Sequence, residues 1–127
     1  MKQRERLRQV ILDKYKGHCA YCGCEIDLKT MQIDHIIPKI EYSYHLEYDK
    51  NSEKIINHKD DIDNLNPSCR LCNHYKSNFL LEDFRKNLIC LSERLAKNYK
   101  IRIGIRYKIL HITSFDGKFY FEKYFNK

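Results

Sequence analysis

The sequence has no apolar run approaching the roughly 18–20 residues that span a bilayer, so no membrane partner is expected. It has no internal repeats and no low-complexity tract, which gives no sign of a solenoid or a disordered tail. Only two prolines occur in 127 residues, so no proline-rich linker marks a domain boundary. The opening stretch "MKQRERLRQVILDKY" is basic and amphipathic. It lacks a continuous apolar segment and a small-residue cleavage site, and does not read as a secretory signal. A reducing, cytoplasmic compartment is therefore expected, where clustered cysteines point to metal binding before disulfides.

What the sequence does have is positive charge. Lys and Arg number 24 against 17 Asp and Glu, for a net charge of +7 and a pI near 9.1. In a small domain this favours a polyanionic partner, nucleic acid first, although general solubility is the bland alternative. With 43% hydrophobic and 32% charged residues the chain reads as globular. Its length predicts one domain over 1–127.

Leu7, Val10, Ile11 and Tyr15 recur at helical spacing and Gly17 follows as a C-cap, which predicts a helix over 3–16. "CEIDL" and "MQIDHII" read as two short strands joined around Lys29 and Thr30. Residues 39–61 have no firm period and read as a long irregular insertion whose three tyrosines suit stacking on bases. Phe84, Leu88, Leu91 and Leu95 predict a second long helix over 81–97. "KIRIGIRYKI" alternates like a strand without a turn signal before it. "KFYFEKYF" is better strand material, following the turn "FDGK".

Cys19 and Cys22 form one C-x2-C pair, and Cys69 and Cys72 form another. Such a knuckle presents two thiolates to one side, half of a tetrahedral zinc site. The 46 residues between the pairs are many for a zinc finger, but loop closure becomes costly only slowly with length. Four thiolates fill the coordination sphere, so this zinc is structural. Ordinary buried thiols or two disulfides are the alternatives, and Cys24 competes with Cys22 as the ligand. Cys90 reads as a partly buried free thiol inside the second long helix.

The order C-x2-C, "DHIIP", "DNLNP", C-x2-C and then "NHYK" resembles the HNH endonucleases, also called ββα-metal or His-Me finger nucleases, of the zinc-stapled bacterial and phage type. The resemblance covers roughly residues 10–80, which it implies are the core, with a C-terminal extension at about 81–127. It implies an α+β fold: a ββα-metal core stapled by structural zinc, flanked by the N-terminal helix and a C-terminal helix plus strand. It also implies a bacterial or phage-infected cytoplasm and a metal-dependent endonuclease that hydrolyses phosphodiester bonds in DNA. His35 would be the general base, and Asn64 the residue that braces its loop. Asp34 and Asn73 would hold a catalytic Mg²⁺ or Mn²⁺, making the chain an H-N-N variant, with His74 the alternative to Asn73. Arg70, His74 and Lys76 are the expected nucleic-acid contacts, and Ser77 shares the helical face of Asn73.

These residue types suit the chemistry. An imidazole acts as base near neutral pH, and a carboxylate with an amide oxygen suits a hard cation. One geometric condition follows. Asp34 and His35 point to opposite faces of an ideal strand, so they serve one site only if the strand bends or ends there, as Pro38 allows. Phosphate grip is expected from Arg4, Arg6, Arg8, Lys14 and Lys16 at one end and Lys100, Arg102, Arg106 and Lys108 at the other. No obligate protein partner is evident. The alternative function is a zinc-stapled nucleic-acid-binding module without nuclease activity.

Overall fold

The computed structural model describes residues 2–38 and 60–124. Most of the insertion read at 39–61, with its tyrosines, lies outside them. The chain divides into two compact units, one of residues 1–81 with 119–127 and one of residues 82–118.

The first unit opens with α1, Gln3–Asp13. It stops three residues short of the sequence expectation. The chain then leaves through Lys16 and Gly17, with φ of +51° and +80°, and the Gly17 N–H returns to the Leu12 carbonyl at 3.1 Å. Glycine suits this exit because a left-handed residue carries no side-chain penalty there. Ile11 and Leu12 of α1 pack with Met31 and Leu65, and Ile26 and Ile33 close the cluster. Leu7 and Val10, counted in the predicted stripe, are substantially exposed.

The sheet has two antiparallel strands, β1 (Gln32–His35) and β2 (Leu65–Ser68). The hairpin expected between "CEIDL" and "MQIDHII" does not form. Residues 24–28 contribute only a bridge between His18 and Glu25. Asp27 instead folds a turn, its carboxylate accepting from the Lys29 and Thr30 N–H groups at 2.9 Å each. A short 3₁₀ turn, Ile62–Asn64, leads into β2, and α2 (Arg70–Lys76) follows. β1, β2 and α2 thus supply the two strands and helix of a ββα arrangement.

The chain returns to this unit near its end. The predicted strand in "KFYFEKYF" is instead a short helix, α5, Tyr120–Tyr124. The Tyr120 and Phe121 N–H groups donate to the carbonyls of Tyr21 and Ala20 at 3.0 and 2.8 Å. Phe119 meets the edge of Tyr21 with ring centroids 5.4 Å apart, and Tyr124 meets Tyr15 at 5.5 Å. A helix forms here because these rings are consumed by one cluster rather than split between two sheet faces.

The second unit holds most of α3 (Leu81–Ala96) and all of α4 (Tyr99–Arg106). α3 agrees with its predicted bounds to one residue, but Cys90 is exposed rather than partly buried. α4 replaces the strand-like reading of "KIRIGIRYKI". Asn98 caps it, its side-chain oxygen accepting from the Ile101 N–H at 3.2 Å.

Candidate active site

Two turns build a candidate metal centre. In the first, the Cys19 N–H donates to the Cys24 carbonyl at 2.8 Å, and Gly23 donates back to the Cys19 carbonyl at 3.0 Å with φ of +82°. In the second, Cys69 caps α2, its Sγ accepting from the Cys72 N–H at 3.4 Å. The sulfurs of Cys19, Cys22, Cys69 and Cys72 all lie within 4.8 Å of one another, and those of Cys22 and Cys69 are 3.8 Å apart. A zinc–sulfur distance of 2.3 Å gives a tetrahedron with edges of about 3.8 Å, so these residues fit zinc. Cys22, and not Cys24, completes the set.

The electrostatics agree. A hydrogen bond from the Cys72 thiol holds Cys19 down to about 4. The thiolate so formed pushes Cys72 up, and burial raises Cys22. Four thiolates do not coexist here without a cation among them.

The second feature is an open cleft of about 280 Å³ lined by Asp34, His35, Pro38, Asn73 and Ser77, among others. The chain bends directly after β1 at Ile36 and Ile37, so Asp34 and His35 both reach this cleft. The bend is held by Asn64, which is fully buried. Its carbonyl accepts from the Ile36 N–H at 2.9 Å, its side-chain oxygen from the Ile37 N–H at 2.8 Å, and its amide donates to the Ile37 carbonyl at 3.2 Å. His35 Nε2 lies 2.8 Å from Asp60 Oδ1. A carboxylate only accepts, so Nε2 is the donor, and in the neutral imidazole Nδ1 is then the nitrogen with a lone pair. The Asn73 amide nitrogen donates to Gln32 Oε1 at 2.5 Å, which leaves its carbonyl oxygen as the acceptor.

Asp34 is nearly buried and lies at the centre of a polar network. The Tyr21 hydroxyl donates to Oδ2. Lys76 Nζ sits 3.3 Å from Oδ1 and 3.2 Å from Oδ2, and also donates to the His35 carbonyl at 3.1 Å. Asn66, opposite Asp34 in the sheet, donates to the Tyr21 hydroxyl at 3.5 Å and accepts from Lys14 Nζ at 3.3 Å. Burial pushes the Asp34 carboxyl up while Lys76 and Tyr21 pull it back, and burial lowers Lys76.

Several expectations change here. Lys76 does not face a phosphate. Its side chain is fully buried and engaged by Asp34 and His35, because α2 lies over β1 and turns this position inward. Lys14 is likewise no free phosphate contact: its ammonium also binds the Ile62 and Leu65 carbonyls at 2.9 and 2.6 Å. The Arg8 guanidinium binds the carbonyls of Leu28 and Met31. Arg70 and His74 stand exposed on α2, and His74 is not among the residues lining the cleft. Tyr21, Asp60 and Gln32 escaped the sequence reading. Only Gln32 carried a signal, since it shares a strand face with Asp34 two residues on.

No helix among the described residues is long and apolar enough to cross a membrane. No curated protein shows significant similarity to this chain. Among solved structures, the Type II-C Cas9 enzyme from Actinomyces naeslundii is similar, at 26% identity and a TM-score of 0.47 over 68% of this chain. The chain spans 8% of that enzyme's length. The family model that matches is that of the HNH endonucleases, and it covers residues 19–79, from the first knuckle cysteine to just beyond α2. Residues 19–79 of this chain therefore form a domain of the HNH endonuclease family.

Proposed function

We propose that the protein is a metal-dependent endonuclease that hydrolyses phosphodiester bonds in DNA at the cleft between β1 and α2. The observation that carries this reading is the convergence of a carboxylate, an imidazole with a free nitrogen, and an amide oxygen on one open cleft. His35 Nδ1 takes a proton from water as the water oxygen bonds to phosphorus and the phosphorus bond to the leaving oxygen breaks. Asp60 fixes the imidazole ring and its tautomer. Asn64 holds the bend that brings His35 beside Asp34.

Asp34 and Asn73 would hold Mg²⁺ or Mn²⁺. Two oxygen ligands that leave room for water and a phosphate oxygen suit such hard cations. Asp34 retains capacity for a further partner, because a carboxylate has about four acceptor sites and Tyr21 and Lys76 occupy only some of them. When bound, the cation relieves charge at the phosphate. Lys76 and Tyr21 hold the carboxylate in place, while exposed Arg70 and His74 contact the DNA backbone. Zinc at the four cysteines is structural.

The engagement of Asp34 by Lys76 favours one other reading, a zinc-stapled DNA-binding module without cleavage. Incubation with plasmid, with and without Mg²⁺ or Mn²⁺, separates the two. His35→Ala is expected to lower the cleavage rate roughly 10²–10⁴-fold with folding and zinc content retained. Equal rates for His35→Ala and the parent, or no cleavage by the parent with either cation, would sink the enzymatic reading.

A further inference from the structure

We propose that helix α4 is a binding platform for single-stranded DNA. The proposal rests on the endonuclease reading only for the choice of DNA as the polyanion.

Arg102, Ile103, Arg106 and Tyr107 lie three, four, seven and eight residues after Tyr99, the spacing of a single helix face. These five residues line a shallow groove of about 190 Å³. The face points outward: Tyr99 and Tyr107 are 74% and 72% exposed, and Ile103 is 41% exposed. The opposite side of α4 is the packed one. Gly104 is buried there, and Leu110 lies so close that a methyl group on Gly104 would meet its Cδ2 at 2.9 Å. Neither Arg102 nor Arg106 has a side-chain partner among the described residues.

The charge is one-sided. Six Lys and Arg and no acid lie between Glu93 and Asp116. At 1.5 Å per residue, Arg102 and Arg106 are offset by about 6 Å along the helix, and the two tyrosines bracket them over about 12 Å. A row of cations flanked by aromatic faces serves a strand whose phosphates are paired and whose bases stack. Bases stack on a side chain only when they are out of a duplex, which selects a single strand. Around the helix, Tyr99, Ile103 and Tyr107 lie along one row at steps of four, and Arg102 and Arg106 lie along the row beside it, so bases on the first row carry their phosphates over the second.

The test uses the full zinc-loaded chain carrying His35→Ala, so that no cleavage occurs during titration. Its affinity for a fluorescent oligothymidylate is measured by anisotropy over a range of salt. Adding Tyr99→Ala and Tyr107→Ala is expected to weaken binding about tenfold or more, the loss of stacking on one or two bases. Tyr99→Phe with Tyr107→Phe is expected to restore it, since the ring and not the hydroxyl stacks. Arg102→Gln with Arg106→Gln should reduce the slope of log K against log salt by about 1.4, two phosphate contacts at about 0.7 each.

The proposal is overturned if the double alanine variant binds within about twofold of its parent. It is equally overturned if these side chains instead bind anionic phospholipid vesicles or oligouridylate while oligothymidylate is ignored. Cleavage by the chain with His35 intact is scored separately. A protein that cleaves but binds independently of both tyrosines loses the α4 proposal alone. One that binds through them but never cleaves loses the endonuclease reading alone.

Discussion

Lys76→Met removes an ammonium from the interior while keeping most of the aliphatic stem. Its side chain is 0% exposed, and that of its partner Asp34 is 4% exposed. The ammonium also donates to the His35 carbonyl, so two acceptors each lose a donor at once. Breaking a buried ion pair from one side costs about 3–5 kcal/mol, because the remaining charge stays desolvated. The Arg85–Glu82 pair, whose glutamate is 76% exposed, gives the contrast: its loss should cost below about 1 kcal/mol. With a urea m-value of about 2 kcal/mol/M, the Lys76 change should move the denaturation midpoint down by about 2 M at saturating zinc. The double variant Asp34→Asn/Lys76→Met, which removes both charges, should recover at least half of that loss. If Lys76→Met shifts the midpoint no more than Glu82→Gln, the ion pair does not stabilise the core as reasoned. If the double variant is no better than Lys76→Met, packing of the stem and not the stranded charge accounts for the loss.

Metal analysis should find about one zinc per chain, and Cys69→Ser should unfold the first unit, since structural zinc supplies about 10 kcal/mol or more of folding free energy; unchanged thermal stability in a zinc-free protein would refute this. Gly23→Ala should lower the melting temperature, because φ is +82° there and the new methyl would meet Tyr120 Cδ2 at 2.7 Å. The left-handed backbone alone costs about 1–2 kcal/mol with a side chain. A melting temperature equal to the parent's would show that Tyr120 does not pack on the knuckle.

The two cysteine pairs were legible because their chemistry is fixed by local spacing, and the structure gathers all four sulfurs. Helix α3 was legible from its apolar period. The partner of β1 was not. Its register with Leu65–Ser68 is set across about thirty residues, and "LNPS" has little strand propensity of its own. The alternation in "KIRIGIRYKI" misled because β-branched residues at every second position also populate a short helix once Asn98 caps it and Gly104 admits Leu110. Within the cleft, the grouping of Asp34, His35 and Asn73 followed from motif order. The burial of Lys76 did not, since a lysine at the end of a basic helix reads as solvent-facing until its neighbours in space are known. Tyr21 stands between two of the clustered cysteines, where nothing in the sequence connects its hydroxyl to a carboxylate thirteen residues later.

The return of Phe119–Tyr124 to the first unit has a consequence for how the protein is made. The knuckle, both strands and α2 leave the ribosome well before α5 does, so the four clustered cysteines are all available while the ring cluster around Tyr15 and Tyr21 is still incomplete. At about 5–20 residues per second, the stretch from Leu81 to Tyr124 takes several seconds to synthesise. During that interval the apolar side of Tyr21, whose hydroxyl positions Asp34, lacks its cover. Metal capture can precede synthesis of residues 119–124, whereas the full aromatic seal cannot. A nascent chain halted before Phe119 would therefore be expected to hold zinc yet remain open to proteases at the knuckle.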